Sequence, residues 1–166
     1  MKIVIALGGN ALGNNPEQQK EILKESVKPI VDLIQEGHQL IITHGNGPQV
    51  GMILNKMDDL PMVEANAMTQ GYIGHHLQNA LQNELNSRSI KKPVITLITQ
   101  VIVDEQDTAF DNPTKPIGQF MSKEEAQTLK ETKNYHIVED SGRVYRRVVP
   151  SPKPIDIVEL ESIISL

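Results

Sequence analysis

Two short stretches carry the residue types that bind an anion through the backbone. Gly8-Gly9-Asn10 closes the apolar run from Ile3 to Leu7, and Gly45-Asn46-Gly47-Pro48 closes the run from Leu40 to His44. A glycine turn at the end of a buried strand leaves backbone N–H groups free at a helix start, where the partial positive charge favours phosphate or carboxylate. Asn10 and Asn46 add side-chain amides. The plain alternative for Gly45-Asn46-Gly47-Pro48 is a tight turn with nothing bound, each stretch alone is a weak signal, and neither has the Gly-Lys-Ser/Thr of a phosphate loop or the three spaced glycines of a dinucleotide fold. A cation to match such a site is available in Lys115, which lies between Pro113 and Pro116, residues that restrict the backbone around a flexible side chain. The plain alternative is a solvated loop lysine. Arg146, Arg147 and Lys153 gather where Pro150, Pro152 and Pro154 stiffen the chain, and by themselves they read as a surface charge run. His75 and His76 are adjacent on a helical stretch and point to different faces, so they cannot share a metal as an i, i+4 pair does. Met52, Met57, Met62 and Met68 read as core or interface filler.

These residues need elements to position them. Lys2 to Leu7 has the pattern of a strand buried on both faces of a parallel sheet. Asn14 or Asn15 as N-cap, Pro16 at the first helical position and apolar residues recurring from Ile22 to Ile34 predict an amphipathic helix, kinked at Pro29 and stopped by Gly37. Gln39 to Thr43 repeats the strand pattern. The βαβ unit so formed crosses over right-handedly, which brings both glycine turns to one carboxyl edge. Pro48 opens a second helix to about Met57. A third runs from Glu64 to Arg88, interrupted by Gly71 and Gly74, and Pro93 to Val103 is expected as a further strand. The order β, α, β, α, α, β is that of a layered α/β domain. From Asp104 to Gly118 the chain reads as a long irregular segment, a length usually functional or mobile. Ser122 with Glu125 forms a capping box for a polar helix to about Lys133, and 135–139 with 143–149 flank Asp140-Ser141-Gly142 as a hairpin. Residues 104–149 are thus expected as a protruding subdomain on a body made of 1–103 and 150–166. Asp156 with Glu159 predicts a cap for a last apolar helix, Ile155 to Leu166.

Composition narrows the functions. The 166 residues include 21 acidic and 16 basic side chains, a formal charge of -5, spread without a basic face, so nucleic acid is excluded as a partner. With no cysteine there is no disulfide, thiolate metal site or cysteine nucleophile, and a reducing, cytoplasmic setting is expected. The N-terminal apolar stretch is too short for a signal segment or a membrane span, so a soluble protein with no membrane partner is expected. Tryptophan is absent and only Phe110, Phe120, Tyr72, Tyr135 and Tyr145 are aromatic, which argues against base-stacking platforms.

Five motifs in order, Ala6 to Leu12, His44 to Gly51, Ala67 to Gly74, Asn112 to Gly118 and Arg146 to Pro154, closely resemble the carbamate kinases of the amino acid kinase family, and the match spans almost the whole chain. The resemblance implies a three-layer αβα sandwich with a mostly parallel central sheet and a small protruding α+β subdomain. It implies reversible phosphoryl transfer between ATP and carbamate, run toward ATP from carbamoyl phosphate and ADP with Mg2+, in arginine metabolism, by a homodimer with the helix around Gly71 and Gly74 near its interface. In that family Gly8, Gly9 and Asn10 match the turn beside the transferred phosphate, and Gly45, Asn46 and Gly47 the turn at the carbamate end. Lys115 matches the catalytic lysine of the subdomain, and Arg147 and Lys153 fall among the phosphate-binding candidates; no residue is assigned to a resident metal. Many amino acid kinases carry a lysine before Leu-Gly-Gly, where this chain has Ala6, which raises the weight on Lys115. Gln119, Met121 and His75-His76 also depart from the family pattern. Carbamate kinases run to about twice this length, so the chain is expected to be the carbamate-site half, lacking the nucleotide lobe and inactive alone. Two other readings stay open: a non-catalytic anion-binding or regulatory module, and a kinase of a carboxylate such as acetylglutamate or aspartate, against which stand Ala6 and the 113–118 loop.

Overall fold

The computed structural model describes residues 1–8, 12, 16–57, 60–140, 142 and 144–165, leaving out the Pro16 side chain. The N-cap candidates Asn14 and Asn15 and the hairpin residues Ser141 and Arg143 lie outside the described residues, as do Gly9 and Asn10. The chain divides into two units, one of 1–49 with 60–98 and one of 50–59 with 99–166.

In the first unit, β1 (Lys2–Leu7) pairs in parallel with β2 (Gln39–His44), in register from Lys2 opposite Gln39 to Leu7 opposite His44. The helix expected between them is two. Pro29 has no N–H to offer the carbonyl of Glu25, so α1 (Pro16–Ser26) stops, Val27 forms a turn, and α2 (Lys28–Gln35) resumes with Val31 N donating to Val27 O at 2.9 Å. Gly37, at φ 88°, ends α2 as expected. After β2 comes α3 (Gly47–Leu54), whose residues from Val50 onward belong to the second unit, and then α4 (Met62–Ser87), which runs through Gly71 and Gly74 without interruption. Ile73, Leu77, Leu81 and Leu85, four apart on α4, pack with Leu23, Val27, Ile30 and Val31 and with Ile5, Leu7, Leu40 and Ile42 of the two strands. Arg88, just past α4, donates to Glu84 and to Asp32 of α2.

Two expectations for this unit are corrected. The first strand is not buried on both faces: Val4 is 65% exposed, because the helices of this unit pack on the face of Ile5 and Leu7. Nor do residues 94–99 join a strand ladder. Gln78 of α4 holds them instead, donating to Val94 O at 2.8 Å and accepting from Thr96 Oγ1 at 2.9 Å. An apolar run supplies strand propensity, but a ladder needs a neighbour.

In the second unit, β3 (Val101–Val103) is followed by turns to residue 112 and then by β4 (Lys115–Met121). Next come α5 (Lys123–Lys133), β5 (Ile137–Asp140), β6 (Val144–Val149), β7 (Pro154–Ile157) and α6 (Leu160–Ser165). The capping box stands as read: Ser122 N donates to Glu125 Oε2 at 2.8 Å and Glu125 N to Ser122 Oγ at 3.2 Å. The hairpin of β5 and β6 also stands. β4 was not foreseen as a strand. It joins β6 from the edge, in the order β4-β6-β5, and an edge tolerates Pro116. The last helix begins later than expected, since Pro154–Ile157 pairs antiparallel with β3. The side chains read as helix caps serve the strands: Asp156 Oδ1 accepts from Ile157 N, and Glu159 from Gln100 N.

Candidate functional site

The register of β1 and β2 decides where the first unit's candidates fall. Leu7 and His44 are the last pair, so the chain leaves both strands side by side, and Gly45 N extends the ladder to Leu7 O at 3.3 Å. Gly8 and the Gly45-Asn46-Gly47 turn are therefore neighbours at one carboxyl edge, as the crossover rule requires. Gly47 is the first residue of α3. Among the described residues, a Cβ added at Gly8, Gly45 or Gly47 would meet nothing within 4 Å, so these glycines make no room for described protein atoms and leave the backbone open to approach.

Asn46 is fixed by residues that sequence reasoning did not single out. Its Nδ2 donates to Asn66 Oδ1 and to Thr69 Oγ1, each at 2.7 Å. Asn66 and Thr69 lie three apart on one face of α4, and Thr69 is fully buried. The available signal was a polar pair at helical spacing within an otherwise apolar stripe.

The other candidates belong to the second unit. Lys115, opposite Val149, opens β4 and is exposed. Arg147 stands opposite Ile117 and Ile137, its guanidinium 3.6 Å from the ring centre of Tyr135. Arg146 donates to Gly118 O at 3.2 Å, lies 3.7 Å from Asp140 and sits over Phe120. The arginine pair is thus half-buried and partnered, not a free surface run. Lys153 is exposed. Its backbone N donates at 2.8 Å to Asp107 Oδ2, while Ala109 N donates to Oδ1, and these two bonds hold the Asp107 carboxyl below its usual range. Lys153, Asp104, Asp107, Pro154 and Ile155 line an open groove.

The histidine pair is structural. His75 bonds Asn79 at 3.1 Å, and His76 meets Tyr72 edge-on with ring centres 4.8 Å apart. Burial, then the charges of His75 and Lys20, push His76 below its usual value. Among the described residues no group of three or more His, Cys, Asp or Glu could hold a metal ion, and no helix is long and apolar enough to cross a membrane.

A model of the amino acid kinase family matches residues 1–145. The chain is similar to a carbamate kinase of Staphylococcus epidermidis, 56% identical over 99% of this chain and 56% of that protein, and to carbamate kinase 3 of Staphylococcus aureus, 55% identical with the same coverage. Among solved structures it resembles carbamate kinase from Giardia lamblia bound to citric acid, with TM-score 0.92, 35% identity and coverage of 99% of this chain and 57% of that one. The same enzyme bound to AMP-PNP matches with TM-score 0.83 and 36% identity, covering 99% and 56%. The chain thus spans about half the length of the curated relatives it matches, and its α/β fold is that of the matching part of the carbamate kinases.

Proposed function

Since the chain belongs to the amino acid kinase family, we propose that it is the carbamate-site half of a carbamate kinase, which transfers a phosphoryl group reversibly between ATP and carbamate and runs toward ATP. The observation that carries this reading is that Gly8 and the Gly45-Asn46-Gly47 turn stand side by side at one edge of β1 and β2, with open space beside Gly8, Gly45 and Gly47. In the forward direction a nucleotide β-phosphate oxygen attacks phosphorus, the bond to the acyl oxygen breaks, and carbamate leaves with that oxygen. The transition state resembles metaphosphate, so positioning and donors to its equatorial oxygens do most of the work. Gly8, Gly9 and Asn10 are proposed to face the transferred group, Gly45, Asn46 and Gly47 the carbamate end. Lys115 is proposed as the cation that meets the developing charge, with Arg147, which like Lys115 lies in a proposed subdomain of 104–149, and Lys153, just beyond it, as further anion-binding candidates.

Magnesium enters as part of the nucleotide substrate. The remaining length of the relatives is proposed to correspond to the lobe that binds ATP or ADP, and the working enzyme to be a cytoplasmic homodimer in arginine metabolism. The test is a coupled assay of ATP formed from ADP, carbamoyl phosphate and magnesium by this 166-residue chain, alone and with a C-terminal lobe of a carbamate kinase added. Silence alone with activity on addition supports the reading. Activity of the chain alone refutes the division into halves, and silence in both refutes the kinase.

A further inference from the structure

The contacts of Asn46 decide which end of its amide is free. Both hydrogens of Nδ2 are spent, on Asn66 Oδ1 and on Thr69 Oγ1, each at 2.7 Å. Neither acceptor can trade roles. The Nδ2 of Asn66 already donates to Met62 O at 2.9 Å, and the Thr69 hydroxyl donates to Asn66 O at 2.8 Å. Turning the Asn46 amide over would set its carbonyl against two oxygens, and the loss of two hydrogen bonds disfavours that form by about thirty-fold. The end left over is Oδ1, to which no described residue donates. It can accept from an N–H and has nothing to give an oxygen or a methyl group.

We propose that Asn66 and Thr69 are positioning residues that hold Asn46 with its carbonyl oxygen free, and that the turn between β2 and α3 thereby selects an acyl phosphate bearing an amino group over one bearing a methyl group in its place. This rests on the reading in which that turn holds the carbamate end. The methyl analogue strips water from Oδ1 and returns no donor, whereas the amino group replaces the lost hydrogen bond.

The pair of ligands that tests this is phosphonoacetamide and acetonylphosphonate, which differ only in NH2 against CH3 and transfer no phosphoryl group. Titrated calorimetrically into the full-length protein, the amide is expected to bind about ten-fold more tightly. Thr69→Val should bring the two affinities within about three-fold, and Thr69→Ser, which keeps the hydroxyl, should restore the preference. Each ratio is measured on one preparation, so an unfolded fraction cancels. If far-UV circular dichroism shows that Thr69→Val does not fold, Asn66→Ala, at a half-buried position, takes its place. A ratio that stays the same in the parent and the variant overturns the positioning role. Equal binding of the two ligands by the parent overturns the selection while leaving the anion site standing. Binding of neither ligand removes the anion site, and with it both this inference and the assignment of the carbamate end.

Discussion

Gly51 lies inside α3, and a Cβ built there would stand 2.1 Å from Gly118 Cα and 2.7 Å from Gly118 N. The obstacle is backbone, held at φ 71° in β4 beside the pair of Ile117 with Arg147, so it cannot swing aside as a side-chain tip would. Ordinary contact needs the two chains to part by more than 1 Å. Overpacking of this kind costs about 1–3 kcal/mol, and backbone against backbone belongs at the upper end. Against it stands about 1 kcal/mol gained when alanine replaces glycine in a helix interior. The clash wins, and Gly51→Ala is expected to destabilise by about 2 kcal/mol. Gly71, within α4, meets nothing within 4 Å, so there only the helix term acts, and Gly71→Ala should stabilise by up to about 1 kcal/mol. At about 2–4 °C per kcal/mol for a chain of this size, the two variants should melt on opposite sides of the parent in far-UV circular dichroism. A Gly51→Ala protein that melts at or above the parent temperature would mean that α3 and β4 do not touch there, and would refute the reasoning.

Other outcomes follow from the same structure. Ser122→Ala removes one arm of the capping box and should cost about 1 kcal/mol, read from urea denaturation; no change would mean that α5 is capped otherwise. His76, held below its usual pKa of 6.5 by burial and by His75 and Lys20, is protonated more readily in the unfolded chain. Its share of stability is therefore complete above about pH 6.5 and declines as pH falls through that value toward the folded pKa. His76→Gln should flatten the fall in melting temperature between about pH 7.5 and about pH 5.5, and an unchanged slope would assign that fall to other groups. Lys115→Ala in the active enzyme should lower turnover by about 10²-fold to 10³-fold with an unaltered melt, since Lys115 is exposed; an unchanged rate removes it from the site.

What could be read from sequence was what neighbouring residues decide among themselves. The stop at Gly37 and the Ser122–Glu125 box rest on contacts within a few positions, and the strands Lys2–Leu7 and Gln39–His44, though each needs the other for its ladder, each announce themselves as one short apolar run. The failures rest on partners far along the chain. β4 hid behind Pro116 and Gly118 because its partner, β6, lies some thirty residues on, and a proline is ruled out of a strand only when its N–H side is paired. Residues 154–157 looked like a helix start because Asp156 and Glu159 have cap chemistry, which β3 and β7 use for themselves. The 94–98 run had every strand propensity and no ladder. In the candidate site the Gly45-Asn46-Gly47 turn beside Gly8 was legible from glycine placement, whereas Asn66 and Thr69 became visible only once α4 had turned both toward Asn46.

That 94–98 run has a consequence for handling the protein. Val94-Ile95-Thr96-Leu97-Ile98 is uncharged, rich in β-branched residues and free of proline, and Ile95, Leu97 and Ile98 are 58%, 42% and 51% exposed. Such a segment is a template for cross-β association between copies. Lys91, Lys92 and Pro93 stand as gatekeepers on its N-terminal side only, and the sequence beyond it continues through Thr99, Gln100 and three more apolar residues before the first charge at Asp104. This segment is therefore a point at which copies of the chain can associate, and a lysine introduced at Ile95 is expected to raise the concentration the chain tolerates.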